Sequence, residues 1–460
     1  MSVAVLLGLL VWKLLHDRMA ALIAGTLFAL HPAQTESVAW VSVPDPLMSA
    51  AVLGSLLLYL SYVERVSEKA ASRVERLSKR SRQRTHKSTA NSSVLWVVAA
   101  AAACLAALMA KETAIVLPVV LFATALIVPF DAAENGTVKG TNADLQNRLV
   151  SALRQTLPFW AVTVVYLLLR FIALQGHLSS HTQHLPWKTV LLSWPSILWF
   201  YVKVLFWPVR PRAFADPGLV DIFSFRHVLL PAAGVCCVAA TLVAACLWAW
   251  KRGRLNLPDR EAINVERALL FGIFLLVFPI LLALNLNALD PGDFLHGRYT
   301  YLSLTGLMLL VATGWHLATR ASTALLAAIG LVAVAFSILT VNQESMWKDD
   351  LTVYTVAHQI APHNAPVAQN LVRAHVQVAL GLDEADRCDE AVPIFQKAIQ
   401  EYPQDWFAWA GLGECFAKLN DLPNAERSLH RASDLSREPR VRQEWEQARE
   451  QMGLPSTSPQ

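Results

Sequence analysis

The chain has 460 residues, of which 55% are hydrophobic and only 16% are charged, with a formal net charge of +4. In soluble proteins roughly a quarter of the residues are charged, and repeated long apolar runs are absent. This composition therefore excludes an ordinary soluble protein. It indicates an all-α, polytopic membrane protein. The small net charge says little about partners, because membrane proteins distribute their basic residues by side of the bilayer.

Taken in order, the apolar segments predict about ten membrane helices within a domain spanning residues 1–345. A partial apolar helix at 2–15 comes first and is shorter than the roughly 20 residues that a full span needs. The segments that are long enough to span, or nearly so, fall at about 19–35, 47–62, 93–110, 113–130, 156–174, 228–250, 267–289, 299–316 and 322–341.

The stretch 187–208 is rich in tryptophan and contains Pro195 and Lys203. Aromatic residues concentrate at headgroup depth, so this pattern favours an interfacial or re-entrant helix, with a true span as the alternative. Nine Lys and Arg residues lie in 64–92, which the positive-inside rule places in the cytoplasm. With 187–208 interfacial, the basic residues 251–254 also fall inside, and the C-terminal tail falls outside.

A polar connection at 27–46 interrupts the early apolar segments. The apolar run ends at His31-Pro32, since proline cannot continue a helix. Glu36, Trp40 and Asp45 follow before the next apolar run begins. A carboxylate, a histidine and a tryptophan on a short connection at a membrane face predict the rim of a site. The alternative is an ordinary polar turn with an interfacial tryptophan.

The tail is charged and helical, and residues 406–432 fit the 34-residue tetratricopeptide (TPR) pattern. Residues 390–403 repeat the second half of that pattern. We therefore predict a TPR domain at 346–455, with about two repeats and a polar capping helix. The groove-lining positions of its first helices are Phe407, Ala410, Glu414 and Lys418. The six cysteines of the chain show no C-x-x-C spacing, which argues against a zinc or thioredoxin-type motif.

Four motifs in series resemble one known family. They are H-P-x-x-T-E-x-V-A-W from His31, the segment 109–123 with its Lys-Glu and Leu-Pro pairs, GRYTYLSLTGL at 297–307, and the bridge 345–364 into the TPRs. The second and third are similar to the patterns K-E-x-x-x-x-L-P and E-R-Y-x-Y-L-P-x-x-G. Each motif is loose alone. In series, and joined to a TPR tail, they resemble the transmembrane-and-TPR O-mannosyltransferases of the C-type glycosyltransferase superfamily.

The resemblance implies an enzyme that transfers a sugar, mannose in eukaryotic members, from a polyprenyl or dolichyl phosphate to Ser or Thr of a protein. Such chemistry needs a carboxylate near the acceptor and cations around the lipid phosphate. The corresponding catalytic candidates are Glu36, His31 and Asp45. The candidates for binding the lipid phosphate are Arg298, Lys111 and Tyr299. For the two cations the alternative is snorkelling to lipid headgroups. No cofactor is implied with certainty, and a divalent metal stays undecided.

The chain also departs from the family pattern. Where the family has G-R-x-D after the tryptophan, this chain reads Val43 to Pro46, so the arginine is absent and the aspartate is displaced by one position. Family members carry their main acidic motif on a first extracytoplasmic loop, after a first helix. Both are expected to be missing here. The resemblance therefore implies either a truncated enzyme or an inactive one.

Two other classes of function stay open. A non-catalytic scaffold would keep the fold to present TPRs to a partner, and a transporter would use intramembrane charges. Transport ranks last, because no apolar segment has a carboxylate at its centre. The predicted partners are the lipid bilayer, a polyprenyl-phosphate sugar and a protein bound through the TPRs, with no nucleic acid. The predicted location is the bacterial inner membrane or the endoplasmic reticulum membrane, with the tail extracytoplasmic.

Overall fold

The structure is a computed structural model that describes residues 1–40, 42–78, 90–128, 142–175, 185–209, 218–288, 295–318, 323–436 and 439–451. These residues form helices and turns, and no strand occurs among them. The chain divides into a membrane unit that runs to Glu344 and a tail that begins at Ser345. The prediction of an all-α membrane domain followed by a helical TPR domain is confirmed.

Twelve α-helices make up the described part of the membrane unit. They are α1 Ser2–Leu15, α2 Arg18–Leu30, α3 Thr35–Ala39, α4 Asp45–Ser78, α5 Ala90–Ala110, α6 Val116–Ile127, α7 Asn142–Ala173, α8 Trp187–Phe206, α9 Leu230–Asn256, α10 Asp259–Leu282, α11 Tyr301–Leu317 and α12 Thr323–Glu344. Among the described residues, seven helices are long and apolar enough to cross a membrane and four apolar helices are shorter. The chain is therefore a multi-pass membrane protein.

Helix α4 continues well past its apolar part. It ends at Ser78, so residues 64–78 of the predicted basic loop are helical. This extension is rich in Ala, Glu, Lys and Arg, which are strong helix formers, and the sequence analysis underweighted that propensity. The rest of the loop, at 79–89, lies outside the described residues.

The two faces of the membrane unit can be told apart by their ion pairs. On one face Lys13, at the end of α1, lies 2.6 Å from Glu64 of α4. On the same face Asp17, at the start of α2, lies 3.2 Å from His316 near the end of α11. We call this the basic face, because the Lys- and Arg-rich continuation of α4 begins there. Helices α2 and α11 both have their other ends on the opposite face, which we call the Glu36 face.

Helix α8 contacts the Glu36 face at both of its ends. Near its C-terminus, the carbonyl of Leu205 lies 3.1 Å from Nε2 of His31. Just before its N-terminus, the Leu185 N–H donates to Oδ1 of Asn287, which follows α10. A spanning helix would instead reach both faces. These contacts favour the interfacial position for 187–208, although α8 has the length and composition of a span.

Helices α10 and α11 cross at a pair of glycines. A Cβ added to Gly306 would lie against the backbone nitrogen of Leu276 and 2.5 Å from the carbonyl oxygen of Gly272. Membrane helices lack a hydrophobic driving force for association, so close backbone approach at small residues is a main source of their packing energy. This crossing holds the segment before α11 in place at the Glu36 face.

We expect Gly306→Ala to destabilise the membrane unit by several kcal/mol, because the added methyl group meets backbone atoms that cannot turn aside. The thermal melting of the purified protein in detergent measures this effect. Gly314→Ala is the matched control, because a Cβ at this position of the same helix meets no atom within 4 Å. Equal melting temperatures for the two variants would contradict the proposed crossing.

The tail consists of antiparallel helices in sequence. The described ones are α13 Asp350–Ile360, α14 Ala365–Glu384, α15 Cys388–Glu401, α16 Trp406–Lys418, α17 Leu422–Leu435 and α18 Pro439–Gln451. Asn364, Asp405 and Asp421 each cap the helix that follows by accepting backbone N–H groups. The core of the first repeat is built from α14, α15 and α16 around Phe395, which is fully buried.

Candidate functional site

The polar connection after α2 folds back into the protein at its Glu36 face. His31 Nδ1 accepts the N–H of Ala33, and the Thr35 hydroxyl donates to the carbonyl of Pro32. These local bonds replace the helical bonds that Pro32 interrupts. The chain then forms the short helix α3, which turns the side chain of Glu36 inward. Only 5% of the Glu36 residue surface is exposed.

The segment before α11 holds the Glu36 carboxylate. His296 is fully buried, and its Nδ1 lies 2.8 Å from Oε1 of Glu36. The Arg298 backbone N–H donates to Oε2 at 3.2 Å, and the Nε of Arg298 lies 4.0 Å from Oε1. His296 and Arg298, which are 260 and 262 positions away in sequence, therefore fix the carboxylate in one orientation. Carboxylates are among the side chains that can act as general bases, so Glu36 is the candidate for that role in this cluster.

Gly297 makes this close approach feasible. A Cβ at this position would lie 3.1 Å from Oε2 of Glu36, which is tighter than an ordinary van der Waals contact. The family pattern that the segment resembles has a glutamate here. In this chain a second carboxylate at 297 would repel Glu36, and His296 contributes the neighbouring polar group instead.

Two cations lie near the ring of Tyr299, and one of them, Arg298, is beside Glu36. The Lys111 ammonium lies 2.7 Å from both carboxylate oxygens of Asp45 and 4.9 Å from the ring centre of Tyr299. The guanidinium of Arg298 lies 4.9 Å from the ring centre of Trp40 and 5.7 Å from that of Tyr299. Tyr299 thus stands between the two cations, and its negative ring face stabilises both.

A cavity of about 300 Å³ opens beside these groups. Its polar lining consists of Asp45, Lys111, Glu112, Thr113, Asn285 and Tyr299, with Lys111 as the one cation among them. The remaining wall is mostly apolar and includes Met48, Ile115, Pro279, Leu282 and Leu302. A cation in the lining of a cavity whose wall is otherwise mostly apolar suits an amphipathic anion, whose charged head would meet Lys111 while its apolar part contacts the wall.

The structure brings together five of the six sequence-predicted site residues in the membrane unit: Glu36, Asp45, Lys111, Arg298 and Tyr299. His31 has a different position. Its Nδ1 accepts the Ala33 N–H, so its Nε2 carries the hydrogen and donates to the Leu205 carbonyl. Both ring nitrogens are thus used structurally: Nδ1 bonds within the connection and Nε2 joins the connection to α8. His296, which was not among the predicted site residues, contacts Glu36 directly, and its place beside Arg298 was the only sequence signal for it.

The predicted groove residues of the tail have mixed environments. Phe407 is half exposed and stacks on Trp406 with ring centres 3.7 Å apart. Ala410 is buried against Ala432 and Val441. Lys418 donates to the Asp383 carbonyl at 2.8 Å.

The fourth groove residue, Glu414, lies near α18, and its carboxylate accepts from Arg440 at 3.4 Å. Burial, together with the nearby charge of Glu444, raises the pKa of Glu414 from 4.5 to about 7. A raised pKa means that folding favours the protonated acid. Protonated Glu414 therefore stabilises the folded tail, and this stabilisation is fully present below about pH 4.5 and is lost as the pH rises through about 7.

We expect Glu414→Gln to stabilise the tail by on the order of 1 kcal/mol at about pH 8, after a discount for solvent screening. The gain should vanish near pH 4.5, where the wild-type acid is already protonated. Hydrogen exchange of the α16 amides in the full chain measures it. Glu450→Gln, at an exposed position of α18, is the control. A gain that is the same at both pH values would contradict the assignment.

The fold and site define a multi-pass membrane protein with a TPR tail and a buried carboxylate–cation cluster at one membrane face. Comparison with known proteins agrees with this class. A tetratricopeptide repeat model matches residues 384–443. No solved structure is significantly similar to the chain.

The chain is similar to mammalian proteins named protein O-mannosyl-transferases. It is 29% identical over 234 residues to TMTC1 of Mus musculus, and the match covers 49% of this chain and 23% of that protein. It is 24% identical over 179 residues to TMTC3 of Homo sapiens, covering 38% of this chain and 19% of that protein. It is 30% identical over 182 residues to TMTC1 of Homo sapiens, and the match covers 38% of this chain and 18% of that protein. The matches thus span about a fifth of these relatives' length. They support a glycosyltransferase-like membrane protein with TPRs.

Proposed function

We propose that this chain is an integral-membrane glycosyltransferase that moves a sugar from a polyprenyl phosphate to a Ser or Thr hydroxyl of a protein. The observation that supports it best is the buried Glu36 carboxylate, which His296 and Arg298 hold in one orientation. Tyr299 connects Arg298 to Lys111 and to the cavity that both Tyr299 and Lys111 line. Mannose is the proposed sugar, because the similar proteins are named for mannosyl transfer.

The proposed reaction forms a bond from the acceptor oxygen to the anomeric carbon and breaks the bond from that carbon to the phosphate oxygen. Glu36 takes the proton of the acceptor hydroxyl as the new bond forms. The electron pair of the broken bond stays on the phosphate oxygen. Lys111 and Arg298 stabilise the charge that develops there, and Asp45 orients Lys111 through its ion pair. Burial of Glu36 keeps water from competing as acceptor.

Transfer by the purified full chain tests this proposal. The protein is reconstituted into liposomes with a polyprenyl phosphate that carries tritiated mannose and with a Ser- and Thr-rich peptide. We expect label on the peptide that survives extraction of lipid and is released by base-catalysed elimination. Parallel donors with glucose or galactose decide the sugar. No transfer from any of these donors, with intact fold, would contradict enzymatic function.

The TPR match supports a second candidate function, a non-catalytic scaffold that presents the tail to a protein partner. The scaffold uses the tail and leaves the cluster around Glu36 as a purely structural feature. The same reconstituted protein distinguishes the two functions: a scaffold would bind a partner polypeptide without labelling any peptide. In both functions the tail is proposed to contact an extended polypeptide, for which Phe407 offers an exposed aromatic face.

We also propose that the tail and Glu36 share the extracytoplasmic side. Helix α12 ends on the Glu36 face, since the Thr340 hydroxyl donates to the carbonyl of Leu30. The basic residues following α4 mark the opposite, cytoplasmic face. We expect a cysteine introduced at exposed Gln447 to react with an impermeant maleimide in sealed cells or vesicles. A cysteine at Arg260, at the basic-face start of α10, should react only after permeabilisation. The reverse result would invert the topology.

A further inference from the structure

The strongest feature outside the proposed site is a buried cluster in the tail. Asp383 lies near the end of α14, Cys388 begins α15, and Cys415 lies in the last turn of α16. All three are buried. The two sulfur atoms and a carboxylate oxygen of Asp383 lie within 4.8 Å of one another. One oxygen, Oδ1 of Asp383, accepts from the Cys388 thiol at 2.9 Å and from the Cys415 thiol at 3.1 Å.

The packing of α15 against α16 determines this meeting. The two helices run antiparallel, and the ring of Phe395 lies against the backbone of Gly411, where a Cβ would be 2.6 Å from Cε1. That contact sets the register of the pair. It brings the first residue of α15 opposite the end of α16, where Cys415 lies. The cluster is therefore built by the rigid core of the repeat, and its geometry does not depend on exposed side chains.

The charges of the cluster suit a divalent cation that exchanges for two protons. The Lys418 ammonium lies 3.0 Å from Oδ1 of Asp383, so the carboxylate is already neutralised. Both thiols donate to Oδ1 of Asp383, so each carries its hydrogen in the metal-free protein. Entry of a divalent ion with release of the two thiol protons adds no net charge. The buried site thus avoids the large cost of an isolated charge.

The donor set is that of a zinc site. Two thiolates and one carboxylate are ligands that Zn²⁺ takes in tetrahedral geometry, with water as the fourth ligand. With Zn–S near ~2.3 Å and Zn–O near ~2.1 Å, ligand sulfur and oxygen atoms stand about 3.5 Å apart. The present sulfur–oxygen distances of 2.9 and 3.1 Å require an opening of only about half an ångström. Lys418 keeps its bond to the Asp383 backbone carbonyl and then supports the carboxylate from outside.

We propose that Asp383, Cys388 and Cys415 bind one Zn²⁺ ion that fastens α14, α15 and α16 together. Binding forms two Zn–S bonds and one Zn–O bond and releases two protons to solvent, with no change of oxidation state. The ion would tie together three helices whose ends now meet through the hydrogen bonds to Asp383. Metal binding adds free energy directly to the folded state.

Metal analysis of the purified full chain tests this site. We expect one Zn²⁺ per chain after dialysis against a weak chelator, and release of two protons per ion in a calorimetric titration of the metal-stripped protein. Co²⁺ in place of Zn²⁺ should give the visible absorption of a tetrahedral thiolate site. Cys388→Ser and Cys415→Ser should each lower the affinity at least 100-fold, whereas Cys236→Ser, at an exposed position of α9, should leave it unchanged.

Each contrary result overturns the proposal. The wild-type chain could stay metal-free in the presence of excess Zn²⁺, a result that does not depend on any variant. If both cysteine variants bind Zn²⁺ with the affinity of the wild-type chain, the ion is located elsewhere. If the mass of the wild-type chain is lower by two hydrogens because Cys388 and Cys415 are bonded, the cluster is a disulfide and not a metal site. Hydrogen exchange of the α15 amides verifies that the variants remain folded.

Discussion

Glu36→Gln should reduce sugar transfer by a factor on the order of 10²–10⁴, which is the usual contribution of a general base. Gln has the shape of Glu, and its amide oxygen can still accept the Arg298 N–H that now donates to Oε2. It cannot take a proton from the acceptor hydroxyl. The site should therefore bind the donor as before and turn over slowly.

The measurement compares kcat and KM for the donor in the reconstituted assay. We expect the loss in kcat, with KM for the polyprenyl phosphate changed no more than about threefold, because uniform binding is unaffected. Glu261→Gln is the matched control, an exposed glutamate in the first turn of α10 on the basic face. If Glu36→Gln transfers sugar at the wild-type rate, the carboxylate only holds the segment 296–298 in place.

Much of this cluster was predictable because its members lie in recognisable motifs. Glu36 follows the helix-ending His31-Pro32, Lys111 ends an apolar helix, and Arg298 precedes another. Each is an ionised residue at the end of a membrane helix, which is costly without a partner and therefore points to a site. That these three lie on one face followed from counting spans. Their individual partners did not follow, because pairings such as Lys111 with Asp45 depend on helix rotation and tilt.

The histidines have contacts that sequence reasoning does not reach. His31 was predicted to act in catalysis, yet both of its ring nitrogens bond to backbone groups. Any residue can offer a backbone carbonyl, so the identity of Leu205 carries no sign of its contact with His31, and the sequence could not predict this contact. His296 contacts Glu36 only because Gly297 allows the approach. The zinc cluster has the same property: its cysteines are brought together by helix register and have no C-x-x-C spacing.

Helix α8 illustrates a different limit. Its hydropathy satisfies the requirement for a span, and its tryptophans and Lys203 are equally typical of an interface. Local composition cannot separate these two cases, because both bury apolar side chains in the bilayer. The observations that favour the interfacial position are tertiary contacts, from Leu185 at one end and Leu205 at the other, to segments on a single face.

Arg298→Lys should weaken donor binding by about 10–100-fold, although the charge is retained. A charge-assisted hydrogen bond is worth roughly 1.5–3 kcal/mol, and lysine cannot reproduce the planar, two-pronged contact of a guanidinium with phosphate. It also loses the contacts of the guanidinium with the rings of Trp40 and Tyr299. The backbone N–H of residue 298 would still donate to Glu36, so the carboxylate keeps its orientation.

Donor binding can be followed with the tritiated donor at equilibrium, and KM from the transfer assay provides an independent measure. We expect KM to rise while kcat at saturating donor falls much less than in Glu36→Gln, because the two residues act on different bonds. Arg260→Lys, at an exposed position on the basic face, is the control. An unchanged donor KM with reduced kcat would place Arg298 on the acceptor side of the reaction. Lys111 would then be the principal contact of the lipid phosphate.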